Sequence, residues 1–206
     1  MSDMKDFEHS IVVAMTGASG AAYGLRLIQK LAQTGIRQHI LISDAARVVL
    51  KQETDVVLSA RPAQVADVLA RHLDIDAGGL HCYALDDWFS PAASGSAGIR
   101  HMAVVPCSMG TLARIATGVS DNLIERAADV MLKEGRQLIL MPRETPLSAI
   151  HLEHMLKLAR MGVHIIPAMP GFYHRPECIS ELVDFMVDRL LAHLGVENRD
   201  GKRWGE

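Results

Sequence analysis

Residues Met15–Gly24 read MTGASGAAYG, and they stand between the apolar run IVVA at Ile11–Ala14 and a segment with helical periodicity. Glycines permit a tight turn and a close approach of the backbone to a ligand. The N–H groups at the start of the next helix attract an anion, because they lack intrahelical acceptors. This order of strand, glycine-rich turn and helix predicts an α/β fold with a phosphate-binding turn, although a turn without a ligand has the same pattern.

The same alternation of elements continues along the whole chain. Aliphatic or β-branched runs predict strands at about 10–16, 37–43, 101–106, 137–142 and 163–168. Helical periodicity predicts helices at about 20–34, 44–52, 62–73, 108–117, 121–134, 146–161 and 177–194. Such βαβ units are typical of a three-layer, Rossmann-like or flavodoxin-like doubly wound fold with a mainly parallel sheet. No linker divides the chain, so residues 1–206 are expected to form a single domain.

Local signals predict where two helices begin and end. Thr145 followed by Pro146 is expected to cap the helix at about 146–161, and Gly162 is expected to end it. Gly35 is expected to end the first helix. The segment 86–98, DDWFSPAASGSAG, is the one long loop, and a loop of this length in a compact domain is usually functional or mobile.

Composition excludes several classes of protein. The 206 residues are 49% hydrophobic and 22% charged, as is typical of a water-soluble domain with a substantial core. A net charge of -3 gives no electrostatic footprint for nucleic acid. No apolar run approaches the roughly 18 residues that a membrane-spanning helix needs, and the first ten residues lack the basic flank of a secretion signal. We therefore expect a cytoplasmic protein without a nucleic-acid partner or a membrane span.

Thiol and metal chemistry have only weak signals. Cys82, Cys107 and Cys178 are too few and too scattered for a disulfide framework or a metal site, and Cys107 is expected to be a buried, inert thiol. His151 and His154 lie three residues apart on a predicted helix. The metalloprotease pattern needs a glutamate directly after the first histidine and a spacing of four, so no metal site is predicted.

The residues that follow the predicted strands form one candidate site, because ligands of a doubly wound sheet bind outside the carboxyl ends of its strands. They are Thr16–Ser19, Ser43, Pro106–Ser108, Pro142–Glu144 and Pro170–Tyr173. Glycine, hydroxyl, guanidinium, carboxyl and aromatic groups are therefore expected along one edge of the sheet.

Two interpretations stay open at several of these positions. Ser108 can cap a helix, or it can hold a phosphate together with the N–H groups that follow it. Arg143 can bind a phosphate through two parallel hydrogen bonds while Glu144 exchanges a proton, or the two can form a local ion pair. Arg126 and Lys133 lie on one helix face, which is either a solvated ion-pair stripe or a wall of an anionic pocket.

The TGASG turn also resembles the cofactor turn of short-chain dehydrogenases. That alternative predicts a Tyr-x-x-x-Lys pair, but no lysine stands four residues after Tyr23, Tyr83 or Tyr173. No acidic residue ends the second predicted strand, where Ser43 stands instead. A dinucleotide is therefore a poorer expectation than another phosphorylated ligand.

Seven segments taken together resemble the UbiX-type flavin prenyltransferases. They read, in order along the chain, MTGASGAAYGLRL, LISDAARVVLKQETD, DWFSPAASGS, VPCSMGTLARIATG, DNLIERAADVMLKE, LMPRETPLSAIHLEHMLKLARMG and PAMPGFYHRP, and the resemblance extends from about residue 11 to Trp204 without large gaps. The ordered set is far more specific than any of its motifs alone.

The resemblance implies an enzyme that binds FMN and joins to it the dimethylallyl group of dimethylallyl monophosphate, without a metal. N5 and C6 of reduced FMN would be joined to this group, and the prenylated FMN would be supplied to a UbiD-type decarboxylase. Members of the family assemble as dodecamers with sites at subunit boundaries. The C-terminal helix and tail, at about 177–206, are therefore expected to contact neighbouring copies.

The family's site residues can be carried onto matching positions of this sequence. Its FMN contacts match Gly17, Ala18, Ser19, Ser43, Ser108, Met109, Gly110, Thr111 and Arg143. Its contacts to the prenyl phosphate match Tyr173 and Arg189, and the other positions lining its active site match Glu53, Trp88, Ser94, Arg126, Lys133 and Glu144. We expect Ser19, Glu53, Trp88, Arg126, Lys133 and Glu144 to be catalytic, and Lys133, Ser94, Tyr173 and Arg189 to bind the prenyl substrate.

Two other functions stay open for the same fold. One is an FMN-dependent cysteine decarboxylase, which would need Cys107 or a neighbouring residue as a functional thiol. The other is a non-catalytic FMN carrier that serves a decarboxylase. The set of Lys133, Glu144, Tyr173 and Arg189 argues against a carrier, because flavin storage needs no second phosphate pocket.

Overall fold

The computed structural model describes residues 10–196, and residues 1–9 and 197–206, which include the end of the predicted C-terminal tail, lie outside this range. The six strands within it are β1 (Ser10–Met15), β2 (Arg37–Ile42), β3 (Leu80–Tyr83), β4 (His101–Cys107), β5 (Gln137–Pro142) and β6 (His164–Ile165). They form one parallel sheet in the order β3-β2-β1-β4-β5-β6. This order is that of a doubly wound Rossmann-like fold, so the predicted fold class is confirmed.

Helices cover both faces of the sheet. Those of the described range are α1 (Ala21–Gln33), α2 (Asp44–Thr54), α3 (Pro62–Leu73), α4 (Met109–Thr117), α5 (Leu123–Lys133), α6 (Ala149–Arg160) and α7 (Ile179–His193). Helices α1, α2, α3 and α7 pack on one face, and α4, α5 and α6 pack on the other. In β1, Val13 points into the first layer and Val12 into the second, so both faces of the strand need apolar residues and its run is unbroken.

The two edges of the sheet were predicted least well. Strand β3 is absent from the sequence prediction, because LHCY contains no apolar run and three of its four residues are only half-buried. The strand predicted at 163–168 contains only the two residues of β6. Both elements lie at sheet edges, where one side of the strand is unpaired and the hydrophobic signal is weak.

Most predicted helix ends are confirmed, with one exception. Gly35 and Gly162 follow the ends of α1 and α6 and adopt positive φ angles of 74° and 87°. Thr145 does not cap α6. The cap is Ser148, whose Oγ accepts a hydrogen bond from the His151 N–H at 3.2 Å while His151 Nδ1 accepts one from the Ser148 N–H at 3.3 Å. The predicted cap was therefore wrong, because this reciprocal capping box starts the helix three residues later.

The long segment 86–98 belongs to the crossover that connects β3 to β4, and it packs along α5. Arg126 of α5 donates from Nε to the carbonyl oxygen of Ala93 at 3.0 Å. Arg136, just after α5, donates from Nη2 to the carbonyl oxygen of Gly95 at 2.7 Å. The segment is thus held against the second helical layer by two arginines.

Replacing Gly24 with alanine is expected to destabilise the fold. A Cβ atom at this position of α1 would lie 2.5 Å from the Val105 carbonyl oxygen and 2.7 Å from Met15 Cε, so only glycine lets the helix approach the sheet this closely. Overpacking of this kind costs about 1–3 kcal/mol, although alanine favours a helix by about 1 kcal/mol. Urea unfolding of the ligand-free protein measures the difference.

Gly110→Ala is the matched control for this change. Gly110 is also helical, in the first turn of α4, but a Cβ atom there would meet nothing within 4 Å. Its stability should therefore stay equal or rise. If Gly24→Ala were as stable as Gly110→Ala, close packing would not be the reason for glycine at position 24.

Candidate functional site

The strand order reverses between β1 and β4, which is where a doubly wound sheet binds its ligand. A hydrogen-bonded link joins the two strand ends at this point. Thr16 donates from its N–H and from Oγ1 to the carbonyl oxygen of Pro106, at 3.1 and 3.0 Å. Its Oγ1 also accepts a hydrogen bond from the Ser108 N–H at 2.7 Å. Thr16 is only 2% exposed, so one buried side chain connects the loops on either side of the crevice.

The glycines of the opening turn have structural roles that can be separated. A Cβ atom on Gly17 would lie 2.5 Å from the Cβ atom of Ala45, so glycine lets the turn pack against the start of α2. Gly20 caps α1 with a positive φ of 110°. Ala18 is buried between them, whereas Ser19 is exposed.

Glu53 occupies the N-terminus of α1. Its Oε2 accepts hydrogen bonds from the N–H groups of Gly20 at 3.0 Å and of Ala21 at 2.9 Å. A carboxylate of the chain itself therefore takes the place where the sequence predicted an external anion. No local pattern reveals this contact, because Glu53 stands at the end of α2, 33 residues beyond Gly20.

Arg143 brings the end of β5 to the same place. Its Nε donates to the carbonyl oxygen of Ser19 at 3.2 Å, and its N–H donates to that of Cys107 at 3.3 Å. Partial burial raises the pKa of Glu53, but the Ser19 hydroxyl and the two helix N–H groups outweigh burial by hydrogen bonding. The charge of Arg143 lowers this pKa further, so it lies below its ordinary value of 4.5 and Glu53 is a carboxylate at neutral pH.

This lowered pKa predicts how the stability of the protein changes with pH. The pKa of Glu53 is lower in the folded protein than in the unfolded chain. Its contribution to the free energy of unfolding is therefore complete at pH values above the ordinary carboxyl range, and it is lost as the pH falls through the folded-state pKa. We expect Glu53→Gln to be less stable than the wild type near neutral pH and to match it in acid. Urea unfolding across this range measures the gap; a gap that widened toward acid pH would contradict the sign of the shift.

Two helix N-termini complete the carboxyl edge of the sheet. Ser108 caps α4, since its Oγ accepts from the Thr111 N–H at 3.3 Å and donates to Thr111 Oγ1 at 3.1 Å. Ser43 caps α2 by accepting from the Ala46 N–H at 3.1 Å. The capping interpretation of Ser108 is therefore confirmed. Capping does not exclude a ligand, because the first N–H groups of α4 have no intrahelical acceptors and the space over Gly110 is open.

The residues carried over as FMN contacts thus follow β1, β2, β4 and β5 at one edge. They are Gly17, Ala18, Ser19, Ser43, Ser108, Met109, Gly110, Thr111 and Arg143. Two helix N-termini, a half-buried guanidinium and open space beside a glycine suit a phosphorylated ligand.

Lys133 lies at the opposite end of the strands, where β5 begins, and not at their carboxyl ends. It is the last residue of α5, and its Nζ pairs with Glu134 Oε1 just before β5 begins. The six residues of β5, at about 3.3 Å each, separate this edge from Arg143 by roughly 20 Å. Ser94 belongs to the same region, because the neighbouring Gly95 packs against Glu134.

Arg126 lies further up the same helix and pairs with Asp129, with Nη1 2.8 Å from Oδ2. The ion-pair interpretation of this stripe therefore holds for these two residues. Trp88, at the start of the crossover segment, is 49% exposed. Glu144 is exposed beyond β5, where its Oε1 accepts from the Thr145 N–H at 3.0 Å.

Tyr173 and Arg189 belong to the other helical layer. Tyr173 precedes α7 and is 55% exposed, with its ring edge-on to Phe185 at 5.5 Å between centroids. Arg189 is exposed on α7, one turn before the helix ends. A single chain therefore brings Ser19, Glu53 and Arg143 together, but it places Lys133 on the other face of the sheet from Tyr173 and Arg189.

The cysteines are free thiols. Cys107 is fully buried, and burial raises its pKa to about 12, so the buried-thiol interpretation is confirmed. Among residues 10–196, no cluster of three or more His, Cys, Asp or Glu side chains is arranged to hold a metal ion. In the same part of the chain, none of the helices is long and apolar enough to cross a membrane.

Known proteins are similar to this chain over nearly its whole length. A family model described as Flavoprotein matches residues 2–191. The flavin prenyltransferase UbiX of Pseudomonas aeruginosa is 52% identical over 196 residues, which are 95% of this chain and 94% of that protein.

Two solved structures are similar over nearly their full length. AnUbiX (PadA1), in complex with FMN and dimethylallyl pyrophosphate, has a TM-score of 0.85 and 41% identity, covering 96% of this chain and 98% of that one. A dodecameric FMN-dependent UbiX-like decarboxylase from Escherichia coli O157:H7 has a TM-score of 0.83 and 41% identity, covering 96% of this chain and 100% of that one.

Proposed function

Because the chain belongs to the flavoprotein family and, within it, to the UbiX-type flavin prenyltransferases, we propose that it transfers the dimethylallyl group of dimethylallyl monophosphate to reduced FMN. The C–O bond of the phosphate ester breaks and phosphate leaves with the electron pair, while N5 bonds to the allylic carbon and loses its proton. Protonation of the remaining double bond then lets C6 bond to the branched carbon, and loss of the C6 proton completes the new ring. The observation that carries the proposal is the contact between Ser19, Glu53 and Arg143 at the point where the strand order reverses.

The FMN site consists of the residues at the carboxyl edge. Gly17, Ala18, Ser19, Ser43, Ser108, Met109, Gly110, Thr111 and Arg143 would hold the flavin and its phosphate. The reduced flavin supplies the nucleophilic atoms N5 and C6. The phosphate is stabilised by helix N–H groups and by the Arg143 guanidinium, which needs no metal.

Ser19 and Glu53 are proposed to transfer protons to and from the flavin. The lowered pKa keeps Glu53 ionised at neutral pH, so its carboxylate can accept a proton, and the Ser19 hydroxyl that it binds can relay one. The α1 N–H groups hold this carboxylate in place and stabilise its charge. Glu53 would therefore be the base that removes protons from N5 and C6.

The prenyl phosphate needs a second set of residues, because phosphate is a poor leaving group. Lys133, Arg143 and Arg189 would stabilise the charge that develops on it, Glu144 would donate a proton, and Tyr173 would donate a hydrogen bond. Arg126 and Ser94 would line the same pocket. The face of Trp88 could stabilise positive charge on the five-carbon group by a cation–π contact worth up to about 2 kcal/mol.

This second set requires more than one copy of the chain. Lys133 lies near the amino ends of the strands, in the helical layer of α5. Arg143 lies at the carboxyl ends of the strands, and Arg189 lies in the other helical layer, on α7. One small phosphate therefore cannot contact all three residues of a single chain. We propose a homo-oligomer in which neighbouring copies complete the site, a dodecamer like the Escherichia coli relative.

Exposed apolar surface supports such an assembly. On α6, Ile150, Leu152 and Leu156 are 62%, 52% and 51% exposed, more apolar surface than one helix of a monomer usually leaves in water. The C-terminal helix and tail, about 177–206, are proposed to add further contacts. The whole chain, residues 1–206, is proposed to form a single FMN-binding domain.

The product suggests a partner and a location. Prenylated FMN is proposed to be delivered to a UbiD-type decarboxylase, because a modified flavin that leaves its site must serve another enzyme. Three free thiols suit a reducing compartment, which supports a cytoplasmic protein. The alternative cysteine decarboxylase is disfavoured by the burial and raised pKa of Cys107.

The decisive experiment is anaerobic incubation of the protein with reduced FMN and dimethylallyl monophosphate, followed by mass analysis of the extracted flavin. A mass gain of one five-carbon unit is expected, without added metal and only when both substrates are present. A parallel reaction with dimethylallyl diphosphate tells which ester is preferred. Unchanged FMN with both esters would overturn the proposal.

A further inference from the structure

We propose that the hydroxyl of Thr16 is the positioning group that sets the width of the FMN crevice. This inference rests on the proposed function, since it takes the crevice between the β1 and β4 loops to be the FMN site. The resemblance to flavin prenyltransferases gives Thr16 no role, and the sequence pattern alone does not distinguish it from any turn threonine.

The position of Thr16 in the sheet makes it the last link between the two walls. Strands β1 and β4 pair from Ile11↔His101 to Ala14↔Val104. Beyond Val104 the pairing of β4 with β5 shifts its register, and Pro106 has no N–H to donate. Thr16 continues the connection past this irregularity through its side chain.

The hydroxyl makes two hydrogen bonds of different direction. It donates to the Pro106 carbonyl oxygen at 3.0 Å, and it accepts from the Ser108 N–H at 2.7 Å. The Thr16 N–H bonds the same Pro106 oxygen at 3.1 Å, so this carbonyl keeps a partner if the hydroxyl is removed. The Ser108 N–H does not, because Thr16 Oγ1 is its acceptor. Loss of the hydroxyl therefore affects the start of α4, which forms one wall of the crevice (the α4 wall).

Both walls carry proposed FMN contacts directly beside the link. Gly17, Ala18 and Ser19 follow Thr16 on one side, and Ser108 begins α4 on the other. Without the hydroxyl, the part-buried Ser108 N–H regains a partner only if the loops separate and admit water. Such a separation would move the α4 N-terminus away from the flavin.

Two substitutions distinguish the hydroxyl from the bulk of the side chain. Thr16→Val keeps the shape and removes the hydroxyl, whereas Thr16→Ser keeps the hydroxyl and removes a methyl group. If Thr16 only fills space, Thr16→Val will resemble the wild type more closely than Thr16→Ser. The proposal predicts the reverse order for flavin binding.

The first measurement is the affinity of the flavin-free protein for FMN, with the quenching of flavin fluorescence as the binding signal. We expect Thr16→Val to bind about tenfold more weakly or worse, as the loss of one buried hydrogen bond implies, and Thr16→Ser to bind close to the wild type. Equal binding by the two variants, or weaker binding by Thr16→Ser, would overturn the inference. Failure of the wild type itself to bind FMN would overturn the proposed function together with it.

The second measurement needs no flavin. Amide hydrogen exchange should show the Ser108 N–H protected in the wild type and in Thr16→Ser, and exchanging at least about tenfold faster in Thr16→Val. Rapid exchange of this amide in the wild type would contradict the link even if Thr16→Val failed to fold. Unchanged protection in Thr16→Val would show that another group holds the α4 wall.

Discussion

Replacing Lys133 with alanine is expected to leave FMN bound and to lower prenyl transfer by about 100- to 1,000-fold, the usual effect of removing one preorganised charge contact from a transition state. Lys133 lies roughly 20 Å from the carboxyl edge of its own chain and at the end of a different helix from any proposed FMN contact. Its loss should therefore weaken the stabilisation of the departing phosphate and leave the flavin site intact.

Glu144→Gln is expected to behave in the same way. The amide keeps the size of the side chain and cannot protonate the leaving phosphate, so turnover should fall while FMN affinity is retained. Anaerobic single-turnover assays with mass detection of the product, alongside FMN titrations, separate these two quantities.

Arg71→Ala is the charge-matched control for Lys133→Ala. It removes an exposed cation from the last turn of α3, outside both groups of site residues and away from the exposed apolar face of α6. Turnover close to the wild type is expected for this control. Full turnover by Lys133→Ala or Glu144→Gln would remove that residue from the proposed mechanism.

Mixing two inactive variants is expected to restore prenyl transfer, because the prenyl-phosphate pocket needs residues from more than one copy. Lys133→Ala lacks a cation at the amino edge, and Arg143→Ala lacks one at the carboxyl edge. Each should be nearly inactive alone. If Lys133 comes from one copy and Arg143 from another, random co-assembly leaves both residues intact in about one quarter of the sites.

The control is a co-assembly of wild type with the double variant that carries both substitutions. In this control each copy is either intact or lacks both residues. About one quarter of the sites should be active if two copies share each site, and about one half should be active if each site lies within one chain. Size-exclusion chromatography with differently tagged copies would verify mixing. No restored activity in a verified mixture of the two single variants would show that one chain contains both cations of its site.

Much of the fold could be predicted from local patterns. The strand IVVAM is buried on both faces, so its apolar run appears directly in the sequence, and glycines at Gly35 and Gly162 mark helix ends because they adopt positive φ. Prediction was weakest at the sheet edges. Strand β3 carries histidine and cysteine, and its pairing with β2 depends on a neighbour more than 30 residues away.

The candidate site divides along the same line. The glycine-rich turn, the capping hydroxyl of Ser108 and the Arg143–Glu144 pair can be recognised from residue type and spacing. The contact of Glu53 with the start of α1 and the link from Thr16 to Ser108 cannot, because they join residues 32 to 92 positions apart.

By itself, the sequence determined the alternation of strands and helices, the glycine turn and membership in the flavin prenyltransferases, since hydrophobic periodicity, capping and motif order are properties of short segments. Only the tertiary structure decided that a carboxylate occupies the α1 N-terminus, that one buried hydroxyl joins the crevice walls, and that Lys133 lies on the other face from Tyr173 and Arg189. The physical reason is that these features depend on how parallel strands order themselves within the sheet. That order brings distant segments together and separates others, and it leaves no local pattern.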